Sequence, residues 1–293
     1  MTQINDLILV TGATGTVGTS VCENLVKAGA AVRAAYNSSK GKEKLEKLGV
    51  AETVQLDISD TASLDAAFSG VKKAFVLVPV HPNMLELGCQ TIDAAKRANI
   101  EYIVRCSAMG AAPDATILLN WHAQIDDYLK ESGIPHTLIR PNSFMQNFIT
   151  FNGYEIKTQN SIYLPLGDSK VSWIDVRDIA TFTTQCFIES AGHIGKTYTL
   201  TGPEALSVEE SATLLSAGIG RAITYYDISE ETARAGMLGV GMPEISADAI
   251  LGLYASYKTG SASEVSPKFE EVIGQKLISF AQFVEDYKAA FAA

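Results

Sequence analysis

The stretch TGATGTVG at 11–18 constrains this chain more than any other. It follows the apolar run DLILVT (6–11). It opens a segment whose apolar positions Val17, Val21, Leu25 and Val26 have helical spacing. Its three glycines, Gly12, Gly15 and Gly18, follow G-x-x-G-x-x-G spacing. A turn of this kind between a buried strand and a helix suits one kind of ligand. Glycines let the backbone approach a pyrophosphate that a Cβ would hold away. The free amides of the helix's first turn then point at the anion. Gly18 lets the helix lie close to the strand. A second strand, AVRAAY (31–36), completes the βαβ context that the motif requires. The turn therefore predicts a dinucleotide site.

The alternation continues along the chain. TVQLD (53–57), AFVLVP (74–79), YIVRCS (102–107) and HTLIRP (136–141) are further apolar runs of strand length. Helical patterns lie between them, near 40–48 and 61–69, then at 83–98 and 118–132. Near-continuous Val, Ile and Leu means strands covered on both faces, and strand–helix alternation means a parallel sheet. The expected fold is α/β: a Rossmann-type doubly wound parallel sheet with a smaller C-terminal α+β substrate lobe. Residues 1–150 read as the dinucleotide-binding domain, with 171–202, including the strand TYTLTG (197–202), returning to it. Residues 151–293 read as a smaller, discontinuous substrate-binding lobe. Within it 161–180 carries turns, a short strand and a helix start. From Leu206 onward helices dominate, near 207–217, 229–237, 243–257 and 279–291. The lobe is expected at the carboxyl edge of the sheet, where an open parallel sheet has its crevice.

The end of the second strand bears on cofactor choice. An NAD-selective site places Asp or Glu there to hold both ribose hydroxyls. AAYNSSKGK (34–42) has no acid. It offers Asn37, Ser38, Ser39 and Lys40, with Arg33 nearby, a set that tolerates a 2′-phosphate. NADP is the expected cofactor, with NAD as the alternative. Asp57, ending the third strand, suits either the adenine edge or a cap on the turn before Ser59 and Asp60.

Charge and cysteine content argue against other classes. The chain has 293 residues, 33 of them acidic and 23 basic, for a formal net charge of -10. Such a chain repels nucleic acid unless a basic patch is concentrated somewhere. One small cluster exists, Lys40, Lys42, Lys44 and Lys47. Glu43 and Glu46 are interleaved with it, so it reads as a solvated helix face. Cys22, Cys89, Cys106 and Cys186 are scattered in apolar stretches, which reads as reduced core thiols in a cytoplasmic protein. The scattered histidines suggest no metal site. No run is long enough to span a bilayer, and no signal peptide precedes the first strand. The expected partner is a small-molecule substrate, with no nucleic acid and no membrane, in a monomer or homodimer.

The glycine loop combines with LDISD (56–60), GVKKAFVLVP (70–79), HAQIDDYLKESGIPHTLIRPNSFMQN (122–147), LPLGDSKVSWIDVRDIA (164–180) and TYTLTGPEALSVEESATLLS (197–216). Together these segments resemble the NmrA-like family, atypical members of the short-chain dehydrogenase/reductases. The resemblance covers nearly the whole chain. The family includes NAD(P)H-dependent quinone reductases, triphenylmethane-dye reductases and non-catalytic redox-sensing regulators. The resemblance implies that Gly12, Thr14, Gly15, Thr16 and Val17 line the pyrophosphate. It sets Asn37 where many members carry an Arg for the 2′-phosphate. Lys40 is the remaining source of that charge.

Typical short-chain dehydrogenases use Tyr-x-x-x-Lys on the helix after strand five. Here Leu118 and His122 stand at those positions. Tyr254 and Lys258 have the same spacing but lie far into the C-terminal part, and read as coincidence. Hydride addition to a simple ketone creates a localised alkoxide that needs a proton or a strong oxyanion donor. Addition to a quinone or other extended acceptor spreads the charge, and positioning does most of the work. The expected function is therefore an NAD(P)H-dependent oxidoreductase acting on a quinone-like or conjugated aromatic acceptor. A non-catalytic NAD(P)-sensing regulator is the alternative. A sugar-nucleotide epimerase is disfavoured because Tyr and Lys are missing. The catalytic candidates are His122 and Ser107, the latter at the end of strand five where the family's cofactor cleft opens. Val78 and Pro79 follow strand four on the expected nicotinamide path, with His81 just beyond. After strand six, Asn142, Phe144, Met145 and Asn147 combine apolar surface with amides and suit a flat aromatic substrate.

Overall fold

The computed structural model describes residues 6–292. Six apolar runs become strands, β2 and β6 over the full run and the other four with trimmed or shifted ends: β1 (Leu7–Val10), β2 (Ala31–Tyr36), β3 (Glu52–Gln55), β4 (Lys73–Val76), β5 (Tyr102–Cys106) and β6 (His136–Pro141). The trimming falls mostly at the carboxyl ends. Thr11, Asp57, Leu77–Pro79 and Ser107 leave the ladder there and become loops. Helices α1 (Thr16–Lys27), α2 (Ser39–Glu46), α3 (Thr61–Phe68), α4 (Met84–Arg97) and α5 (Ile117–Glu131) return the chain after β1 to β5 in turn. Two further strands follow, β7 (Ser161–Leu164) and β8 (Thr197–Leu200).

The main sheet has seven strands in the order β3-β2-β1-β4-β5-β6-β8. The pairings from β3 through β6 are parallel. β8 runs the same way beside β6, since Leu138 N–H donates to the Lys196 carbonyl and Asn142 N–H to that of Leu200. Chain order reverses between β1 and β4. That reversal is the switch point at which open α/β sheets form their crevice. The α/β Rossmann-type reading thus describes this sheet.

The chain divides into two compact units. The first takes the residues up to Pro113, then Trp121–Arg140 and Ile179–Tyr198. Its core runs along the sheet, with Ile8, Leu9, Val10, Val32, Phe75, Ile103 and Val104 buried. The second takes Asp114–Asn120, Pro141–Asp178 and everything from Thr199 onward. Residues 141–150 and 171–178 cluster with this second unit, although the sequence suggested that they continue the first. The change comes where β6 ends at Pro141.

The second unit has its own aromatic core. Phe148 meets Trp173 and Phe280 edge-on, with ring centroids 5.1 Å apart in each case. Met145, Ile156, Ile162, Phe283 and Phe291 fill around them. Its small parallel sheet pairs β7 with β9 (Thr224–Asp227). The sequence reading did not foresee β9, nor the helices Gly153–Gln159 and Lys268–Ile273. Each is under two turns of helix or four residues of strand, too short for hydrophobic period to register. The predicted helix at 279–291 is a helix over Phe280–Asp286 followed by a 3-10 turn, Lys288–Phe291. Among the described residues no helix is long and apolar enough to cross a membrane.

Within this unit a buried carboxyl receives the Ile278 amide. Asp178 Oδ2 accepts from Ile278 N–H at 3.0 Å, and the residue is 4% exposed. Burial raises its pKa to about 7, the nearby Asp175 adds to the rise, and the Ile278 bond and Arg177 oppose it. The ordinary value for the unfolded chain is 3.8. Between these values the folded chain holds a proton that the unfolded chain lacks. The group's contribution is therefore fully present at low pH and is lost as pH rises through about 7. Asp178→Asn should flatten that loss. Melting temperature should fall less steeply between the unfolded value of 3.8 and about pH 7 in the variant than in the parent. Parallel curves would show that Asp178 does not titrate there.

Candidate functional site

The glycine loop lies between β1 and α1, at the switch point. Gly12 has φ of +62°, a left-handed conformation that favours glycine. A Cβ there would press on the Leu77 side chain of the neighbouring β4 loop at 3.0 Å. A Cβ on Gly18 would lie 2.2 Å from the Gly12 carbonyl oxygen, so α1 starts directly against the loop. Thr11 ties the two strand ends together. Its hydroxyl donates to the Leu77 carbonyl at 3.0 Å and accepts from the Leu77 amide at 2.9 Å. The N-cap of α1 is Gly15, which has no side chain to cap with, and the first turn contains no acidic residue. Helices α2 and α3, by contrast, are capped by Ser38 and Asp60. The first-turn amides of α1, from Thr16, Val17 and Gly18, have no intrahelical acceptor by geometry. Gly15 and Thr16 are exposed, while the Val17 side chain packs into the core. A backbone cradle closed by glycines, with an uncapped helix start and no carboxylate nearby, fits a pyrophosphate.

Parallel pairing brings other strand ends to the same edge. Asn37 and Lys40 follow β2 and are exposed, with Lys40 in the first turn of α2. Asp57 follows β3, and its Oδ1 accepts from both the Ser59 amide, at 2.9 Å, and the Ser59 hydroxyl, at 2.6 Å. These bonds hold its carboxyl below the ordinary aspartate range. The turn reading is present, and Asp60 supplies the α3 cap. Val78 is buried and Pro79 exposed after β4. His81 is exposed, and its Nδ1 accepts from the Asn83 amide at 3.1 Å, which holds the local turn.

Two cationic side chains differ from expectation. Arg33 is not at the edge. It sits mid-strand opposite Glu52, and its guanidinium bonds Glu52 and the carbonyls of Ala67 and Ser69 at the end of α3. It holds β2, β3 and α3 together and is withdrawn from the cofactor set. Lys44, read as part of a solvated face, reaches the glycine loop. Its Nζ donates to the Thr14 carbonyl at 3.2 Å and to the Thr19 hydroxyl at 2.9 Å.

A buried polar cluster lies at the ends of β5 and β6. Register sets Arg105 opposite Leu138, so Ser107 and Arg140 fall beside each other further along the same face. His122 and Asp126 are one turn apart on α5 and share a face. Asp126 is fully buried and accepts from three groups. Arg105 donates to its Oδ1. The Ser107 hydroxyl and Arg140 Nη2 both donate to its Oδ2 at 2.8 Å. Arg105 Nη2 also reaches His122 Nδ1 at 3.3 Å. A guanidinium has only donors, so Nδ1 must accept and the ring proton of His122 sits on Nε2. Burial holds the His122 pKa well below 6.5, and the charges of Arg105 and Arg140 push the same way. His122 is thus a neutral imidazole in a single tautomer. Ser107 departs from its expected catalytic part. It is buried and its proton is committed to Asp126, so it braces the cluster.

The second unit redistributes the substrate candidates. Asn142 is buried, and its amide is used internally: Nδ2 donates to Ser172 Oγ and the Ala262 carbonyl, both at 2.8 Å, and Oδ1 accepts from Ser143 N–H. It is a structural staple rather than a substrate contact. Met145 is fully buried in the aromatic core and is likewise withdrawn. Phe144 is half-buried, with its backbone bridged to Ile174. Asn147 lines a small, shallow surface cleft with Phe148, Phe151, Trp173 and Tyr254. Lys258 is engaged elsewhere, donating to Glu230 at 2.9 Å, so the Tyr254 and Lys258 spacing has no functional pairing.

Arg105, Asp126 and Arg140 went unread in the sequence, and Lys44 was read only as part of a solvated face. A charged residue inside the buried run YIVRC was the available signal, since such a group requires a partner.

The chain matches the model of the NmrA-like family over residues 4–287. An NAD(P)H azoreductase of Xenophilus azovorans is 37% identical to it, over 98% of this chain and 100% of that protein. The NADPH-dependent quinone oxidoreductase of Escherichia coli, solved with NADPH, superposes with a TM-score of 0.81 at 26% identity. That match covers 95% of this chain and 99% of the other. The triphenylmethane reductase of Citrobacter sp., solved with NADP(H), has a TM-score of 0.81 at 24% identity, covering 95% and 99%; this is a likeness of fold. With its family model and a relative spanning the whole chain, this protein belongs to the NmrA-like family.

Proposed function

We propose that this chain is an NAD(P)H-dependent oxidoreductase that delivers hydride to a quinone-like or conjugated aromatic acceptor. The observation that carries the reading is the glycine cradle over the uncapped start of α1. The names of the azoreductase and quinone oxidoreductase relatives support the reaction class. A bound nicotinamide dinucleotide supplies the hydride. Gly12, Thr14, Gly15, Thr16 and the amides of Val17 and Gly18 hold the pyrophosphate. Asn37 and Lys40 meet the adenosine ribose and its 2′-phosphate, which favours NADP while leaving NAD usable. Asp57 borders the adenine side, and Val78 and Pro79 border the path from the β4 loop.

The acceptor class follows from what the chain does not offer. Leu118 and His122 stand where the Tyr and Lys of typical short-chain enzymes would be. Neutral His122 can donate a hydrogen bond through Nε2–H, but it is a weak acid. That suits an acceptor that spreads its new negative charge over a conjugated system. Phe144 and Asn147 remain as substrate candidates, with Phe144 supplying apolar surface and Asn147 an amide.

Purified protein should oxidise NADPH in the presence of members of a panel of quinones and azo dyes. Tight NADPH binding with no turnover of any acceptor would remove the enzyme reading. Lys40→Met should weaken NADPH by about tenfold and leave NADH within about twofold, as expected for one charge-assisted contact. Equal loss for both nucleotides would dismiss Lys40 as the phosphate ligand. Asp126→Asn should destabilise the protein by about 3–5 kcal/mol in urea unfolding, because two arginines lose their buried anion. A change under about 1 kcal/mol would place the cluster among weak surface-like pairs.

A further inference from the structure

The carbonyl side of the glycine loop is held by a lysine that no cofactor contact requires. Lys44 Nζ donates to the Thr14 carbonyl at 3.2 Å and to Thr19 Oγ1 at 2.9 Å. The Thr19 hydroxyl in turn donates a hydrogen bond to the Ala13 carbonyl at 3.0 Å. One ammonium group thus fixes two successive loop carbonyls, one directly and one through Thr19. A peptide unit is planar, so fixing its carbonyl fixes its amide. The pinned carbonyls of Ala13 and Thr14 set the directions of the Thr14 and Gly15 amides. Gly15 N–H then closes the turn on the Gly12 carbonyl at 3.0 Å.

The contact also joins α2 to the loop. A Cβ on Gly41 would lie 2.8 Å from Thr14 Cγ2, so the two segments approach as closely as glycine allows. Gly41 and Lys44 are three residues apart and share a helix face. That face is pressed against the loop, and the same helix begins at Ser39, beside Asn37 and Lys40. The pyrophosphate cradle and the ribose-side segment are therefore mechanically one piece.

We propose that Lys44 is a positioning residue for dinucleotide binding, holding the glycine loop in its anion-binding shape and fastening α2 to it. The inference rests on the proposed cofactor site. It differs from a charge contact in its signature. A lysine that ligates the 2′-phosphate affects NADPH alone. A lysine that shapes the loop affects every ligand carrying the pyrophosphate.

The test uses the full chain and calorimetric titration with NADPH, NADH and ADP-ribose. Lys44→Met should weaken all three by about three- to tenfold, the range for one or two exposed charge-assisted bonds. The NADPH-to-NADH ratio should stay constant. Lys44→Arg, which keeps a donor and the charge, should restore affinity to within about twofold. Thr19→Val keeps the lysine but removes the relay to Ala13, and should weaken all three ligands in the same proportion as one another. Unchanged affinities in Lys44→Met would reduce Lys44 to a surface residue and overturn the proposal. Loss confined to NADPH would make it a direct phosphate ligand and overturn it too. Failure of the parent protein to bind any of the three would overturn the cofactor reading itself, an outcome distinct from either of the others.

Discussion

The approach of Gly18 to the Gly12 carbonyl governs the geometry of the first unit. No side chain fits there, so α1 begins directly over the end of β1. The helix amides are thereby delivered to the carboxyl edge of the sheet instead of standing off by a further turn of loop. Thr11 fastens that edge to the Leu77 backbone, across the gap where strand order reverses. The parallel register then brings Asn37, Asp57, Val78 and Ser107 to the same edge from four different strands. The loop's sequence is thus a packing requirement first, and the proposed binding role rests on that close packing.

Asp126 organises the other end of that edge. Alone among these groups it is an anion, and it stands between two guanidiniums and a hydroxyl. Burying three charges costs free energy that hydrophobic residues of similar volume would not incur. The return is geometric. β5 contributes Arg105 and Ser107, β6 contributes Arg140, and α5 contributes the carboxylate, so each element's orientation depends on the other two. Arg105 then directs Nη2 at His122, which fixes the tautomer without help from a second carboxylate. Burial first, and the positive surplus of Arg105 and Arg140 after it, keeps the imidazole from acquiring a charge of its own.

Much of the first unit was legible because its signals are periodic. Strand runs separated by helical patterns read directly, and the glycine loop announced itself by spacing. The misreadings came where direction mattered more than sequence distance. Arg33 lies close to the ribose segment in sequence, but three residues before the strand ends its side chain reaches Glu52 of β3 and the carbonyls at the end of α3. Lys44 looked solvated among glutamates, yet it shares a face with Gly41, and a glycine inside a helix marks a close neighbour. The stretch after β6 failed for another reason. Asn142 and Met145 follow the strand as cleft residues would, but the chain enters the second unit at Pro141, and both are taken into its interior. An apolar residue with a nearby amide describes a binding wall and a core corner equally well, and only the packing distinguishes them.

The proposed acceptor chemistry follows from these constraints more than from any single residue. A reductase of simple ketones needs a proton donor whose acidity is tuned close to working pH. His122 has been moved the other way: its basicity is suppressed, so it rarely holds the second proton that would make it an acid. Ser107 cannot take the part either, because its proton is directed at Asp126. What the edge retains is a set of fixed dipoles and a buried positive surplus. Fixed dipoles stabilise diffuse charge without transferring a proton, and a conjugated acceptor develops charge of that kind. The proposed reaction therefore asks this edge for ordered dipoles and not for a strong acid, and it takes the product's proton from solvent.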